Sequence, residues 1–151
     1  SLSTLMVRRL RGVADAPGTD PVRPIPVGKE LLAAGTANQT ELVGGPVKGA
    51  LFDFAPAIDQ YLKTHLFGDI FARDHFDWQS RELATIGMLS AMSGLESQLE
   101  AHVRFAMNVG LSASQLGEVA DGLALRDQAH AARRVREALA KQTGKAPLTP
   151  Q

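Results

Sequence analysis

The chain contains no cysteine. That one absence removes a disulfide framework, a thiolate metal site and dithiol redox chemistry together. Aromatic residues are scarce, with Trp78 and Tyr61 the single examples of their kinds. No apolar run reaches the roughly 20 residues that a membrane-spanning helix needs. Neither sign of charge dominates, with 16 Lys and Arg against 16 Asp and Glu. The start, Ser1-Leu-Ser-Thr-Leu-Met-Val-Arg-Arg, lacks the layout of a signal peptide. These features point to a cytoplasmic protein, with export of a longer precursor left open.

Charge is unevenly spread. Residues 31–125 carry five basic and eleven acidic side chains, and 126–142 carry five basic and two acidic. Basic character confined to one helix, without interleaved aromatics, reads as a solvated face or subunit contact rather than a nucleic-acid footprint. His65, His75, His102 and His130 form no HxxxH or HExxH pair, so no metal site is written locally. A Gly-x-Ser-x-Gly elbow and a phosphate-binding glycine loop are also missing.

At 151 residues the chain has single-domain length. Alternating strand patterns are absent and helical spacing recurs, so the expected class is all-α, with about five to seven helices. Residues 1–40, with Pro17, Pro21, Pro24 and Pro26, read as an amino-terminal arm holding a short helix near 29–37. Residues 41–142 read as the helical domain and 143–151 as a disordered tail. Within the domain, apolar spacing from Leu51 to Phe71 suggests a helix started by Asp53 or Ala55 before Pro56 and bent or broken by Gly68 near Phe67. Asp77 is a candidate cap for a helix over 78–92 that is apolar almost all round and so expected to be buried on most sides. A helix near 95–109 follows, closed by Gly110. Ser112 with Gln115 forms a capping box for the next, which runs to about Leu125, and an amphipathic helix covers 127–142.

The chemical signal lies in two consecutive helices. Glu82 sits one turn before Ile86 and two before Leu89, on the buried side of the first. His102 shares the apolar stripe of Leu95, Leu99 and Ala106 on the second. A carboxylate and an imidazole brought together by packed helices are equipped to move a proton. Taken singly, His102 reads first as a core histidine hydrogen-bonded to a backbone carbonyl, and Glu82 as a partner of Arg81 or a member of a buried structural ion pair.

Residues 66–119 resemble the carboxymuconolactone decarboxylase family, whose members include the AhpD-type alkylhydroperoxidases. The resemblance is carried by Leu66-Phe67-Gly68-Asp69-Ile70-Phe71-Ala72-Arg73 and by Arg81-Glu82-Leu83-Ala84-Thr85-Ile86. It continues through His102-Val103-Arg104-Phe105-Ala106-Met107-Asn108-Val109-Gly110-Leu111-Ser112 and Glu118-Val119. It implies an all-helical, AhpD-like bundle that assembles as a homotrimer or homohexamer. His102 and Glu82 become the catalytic residues, and Gln98, Arg73 and Arg81 the groups that bind a small carboxylated substrate, with no cofactor. The redox branch carries Cys-x-x-Cys where this chain has Leu95 and Gln98, so dithiol peroxidase chemistry is not expected. Gln98 also stands where decarboxylases usually carry Glu. The implied reaction is decarboxylation of a lactone such as 4-carboxymuconolactone. A related isomerase or hydrolase and a non-catalytic ligand-binding oligomer are the alternatives.

Overall fold

A computed structural model describes residues 7–13, 24, 26–74 and 76–144. Most of the expected arm before residue 26, the tail beyond Gly144, and His75 lie outside these residues. Among the described residues the only regular secondary structure is helical. The chain is an all-α bundle.

Helix α1, Gly28–Val43, extends past the expected end near residue 37 and stops at Gly44, which is left-handed with φ 85°. Its extra turns carry Asn38, Gln39 and Leu42 onto the protein body. Two short helices follow, α2 (Ala50–Phe54) and α3 (Pro56–Tyr61), with Pro56 in the first turn of the latter. The chain then continues without a break into a π-helical segment, Leu62–Ile70. Phe71 N donates to Leu66 O five residues back, at 2.9 Å.

Gly68, expected to bend or break this run near Phe67, lies buried inside it, and the helix continues to Ile70. A Cβ there would stand 2.6 Å from Leu31 Cδ1. A Cβ on Gly35 of α1 would meet Lys63 O at 1.7 Å. The two glycines therefore let α1 cross the π segment at backbone contact. Asn38 Nδ2 fastens the crossing by donating to Phe67 O at 2.7 Å.

Helices α4 (Trp78–Ser90), α5 (Glu96–Asn108), α6 (Ala113–Ala124) and α7 (Ala129–Thr143) complete the bundle. Asp77 caps α4 by accepting from Ser80 N at 2.7 Å. Ser112 and Gln115 cap α6 reciprocally, as their spacing predicted. Gly110, with φ 99°, turns the chain between α5 and α6.

The packing of α4 on α5, and of both on α7, encloses one apolar cluster, which includes Ile86, Leu99, Val103, Leu116, Val135 and Leu139. A second cluster gathers Leu42, Phe67 and Phe71, with Trp78 and Phe105 against it. The expectation that α4 is buried on most sides does not hold within the chain. Glu82, Ile86 and Ser90 are buried, but Ala84 and Met88 are exposed, as are Ala91 and Met92 past the helix end at Ser90, two residues short of the expected one. Only one face of α4 meets α5 and α7.

The cations of the basic α7 are engaged inside the chain. Arg136 pairs with Asp121 at 2.7 Å, Arg133 with Glu137 at 3.8 Å, and Lys141 with Glu100. Arg134 Nη1 donates to Ser90 O at 2.6 Å, closing the carboxyl end of α4 where the helix dipole favours a cation.

Candidate active site

Glu82 occupies the packed face of α4, one turn before Ile86, and is only 1 % exposed. A carboxylate so buried needs a partner. His102 of α5 supplies it, with Nδ1 2.7 Å from Glu82 Oε2. With Glu82 as a carboxylate its oxygen accepts and Nδ1 donates, which leaves Nε2 free of this bond on the other side of the ring. The His102 side chain remains 30 % exposed. One partner is sealed in the bundle while the other reaches its edge. That asymmetry is what a proton-transfer pair requires, because the acid orients the imidazole and the imidazole meets the solute.

The neighbouring arginine is unusual in its surroundings. The Arg81 guanidinium lies 5.3 Å from the Phe71 ring centroid and 5.4 Å from that of Phe76. Its Nη2 donates to Arg73 O at 3.3 Å, and its Nε is buried with no hydrogen-bond partner. Burial, and after it the nearby Arg73 charge, hold Arg81 below the usual arginine range, with Asp77 acting in the opposite sense. An incompletely satisfied cation beside a second one is a natural receiver for an anion.

The structure thus joins Glu82 to His102 and Arg81 to Arg73. Among the described residues no hydrogen bond links the two groups. Gln98 lies one turn before His102 on α5 and is exposed, its Oε1 accepting from Ser97 Oγ at 2.8 Å. No group of three or more His, Asp or Glu among the described residues is arranged to hold a metal ion. No helix among them is long and apolar enough to cross a membrane.

The model of the carboxymuconolactone decarboxylase family matches residues 56–141, more than half of the chain and inclusive of Glu82 and His102. The chain belongs to the carboxymuconolactone decarboxylase family. No curated protein matches the sequence. The family assignment brings decarboxylase-like and AhpD-like activities into view. The match begins at Pro56 and so omits α1. That helix is nevertheless tied to the carboxymuconolactone decarboxylase region, since Asn108 Nδ2 of α5 donates to Leu42 O at 2.9 Å.

Two residues near the site were not singled out from sequence spacing. Trp78 Nε1 donates to Phe71 O at 3.0 Å, closing the turn that carries Arg73 towards α4. Phe105 sets its ring against His102, with centroids 5.2 Å apart and planes at 73°. Phe105 follows His102 by three positions, the helical spacing that makes side chains neighbours, so the signal was present.

Proposed function

We propose that this protein is a decarboxylase of a small carboxylated lactone, of the 4-carboxymuconolactone type, working by proton transfer from the His102–Glu82 pair. The single observation that carries this reading is the 2.7 Å contact between a sealed carboxylate and a partly open imidazole. Loss of CO2 breaks a C–C bond and leaves its electron pair in the conjugated lactone, as a dienolate. The substrate itself supplies the electron sink. The enzyme must then stabilise the enolate oxygen and return one proton to carbon.

In this scheme protonated His102 delivers that proton from Nε2, and Glu82 holds the ring by Nδ1 and supports its positive charge. Solvent reprotonates the imidazole through its exposed edge for the next cycle. Arg81 attracts a substrate carboxylate through its guanidinium charge, and Arg73 adds a second positive charge. Gln98 donates its amide to the lactone after turning from Ser97. A homo-oligomer is the assembly this reading favours, because the exposed apolar residues of α4 call for cover.

A ligand-binding role without catalysis is favoured by one observation: the exposed Gln98 amide, where decarboxylases usually have a carboxylate, accepts from Ser97. An ultraviolet assay with 4-carboxymuconolactone separates the two. The native chain should turn over substrate, and His102→Ala and Glu82→Gln should each lose about 10²- to 10⁴-fold in rate while keeping their helical circular dichroism. Undiminished turnover by folded His102→Ala would defeat the mechanism. An inactive native oligomer that still binds the lactone would establish the binding role instead.

A further inference from the structure

His102 is anchored at one ring nitrogen. A single hydrogen bond leaves the imidazole a soft torsion, because the χ2 of histidine is broad and roughly two-fold. Rotation of the ring plane about that torsion would swing Nδ1 away from Glu82 and break the bond. A contact that holds the plane of the ring would oppose that rotation.

Phe105 is placed to do this. Its ring meets the imidazole at a 5.2 Å centroid separation and 73° between planes, the edge-to-face arrangement that aromatic quadrupoles prefer. Phe105 is itself restrained from two directions. It packs against the buried cluster of Leu42, Phe67 and Phe71, and the Arg104 guanidinium lies 5.3 Å from its ring centroid. Rigidity therefore passes from the aromatic cluster through Phe105 to the plane of the imidazole. Hydrogen bonding to Glu82 selects the tautomer and the Phe105 ring holds the orientation in which that bond forms.

We infer that Phe105 is a positioning residue for His102, locking the imidazole so that Nδ1 stays on Glu82 and Nε2 stays open to a reactant. Its consequence for turnover rests on the acid–base reading above, whereas the ring geometry does not. Phe105 touches neither substrate nor reacting atoms in this scheme and acts only through His102.

Nitrogen-15 NMR of the His102 imidazole in the full chain tests the assignment. The native protein should show one dominant tautomer, protonated at Nδ1 when neutral. Phe105→Tyr keeps the ring and should preserve that spectrum. Phe105→Leu keeps apolar bulk without the ring, and should raise the minor tautomer by up to about tenfold and lower kcat by a comparable factor with KM unchanged. A Phe105→Leu spectrum that superimposes on the native one overturns the inference. A mixed tautomer population in the native chain overturns it too, without any variant. If the NMR change appears but no carboxylated lactone is turned over, the acid–base reading fails while the positioning by Phe105 stands.

Discussion

The coupling between Glu82 and His102 has a calculable size, and a double-mutant cycle measures it. Their hydrogen bond is charge-assisted at the carboxylate, and such bonds contribute about 1.5–3 kcal/mol, against about 1 kcal/mol for a neutral bond. Glu82→Gln keeps shape and a neutral bond, so it should cost about 1 kcal/mol. His102→Ala leaves the carboxylate, only 1 % exposed, without its partner. Stranding a fully buried charge costs about 3–5 kcal/mol. The 30 % exposure of the imidazole means that its removal admits water, so about 2 kcal/mol is the better figure. In a chain of this size each kcal/mol moves the melting temperature by about 2–4 °C. The double variant should lose little beyond His102→Ala alone, giving a coupling of about 1 kcal/mol. Urea unfolding at one fixed protein concentration is the assay, since assembly would make midpoints concentration-dependent. Additivity within about 0.5 kcal/mol would refute the reasoning, because neighbours sharing a bond cannot be independent.

Gly35→Ala should destabilise by about 1–3 kcal/mol or more, since its Cβ would fall 1.7 Å from Lys63 O and the obstacle is backbone. Amide exchange in α1 should accelerate, and an unchanged unfolding midpoint would show that the crossing is looser than described. Asp77 is held below its ordinary value of 3.8, chiefly by the hydrogen bond from Ser80 N–H. A depressed carboxyl contributes stability above its unfolded value and loses it as pH falls through the folded one. Asp77→Asn should therefore flatten the acid limb of a melting curve series between about pH 5 and pH 2, and an unaltered limb would refute the cap's role.

What could be read from the sequence was whatever depended on a few neighbouring residues. The Asp77 cap and the Ser112–Gln115 box are local contracts between a side chain and its own helix end, so spacing alone specifies them. The Glu82–His102 contact was legible at one remove, because a short Ser93-Gly94 turn joins their helices and each residue sits on its helix's apolar side. The π segment was not legible. The segment meets α1 at Gly68 and Lys63 from more than 25 residues away, and a glycine that permits close approach looks, in one dimension, like a glycine that ends a helix.

The most instructive departure is α4. An all-round apolar pattern reports every environment the helix meets, whereas the fold of one chain reports only the contacts within it. Met88 is 61 % exposed, and a Cβ on Gly87 would meet nothing within 4 Å. On the opposite face of the same helix Glu82 and Ile86 are sealed by α5 and α7. The inner face thus accounts for the buried carboxylate, and the outer face for the excess of apolar residues. Burial inferred from periodicity alone merges the two faces into one, and so predicts a degree of enclosure that the isolated bundle does not provide.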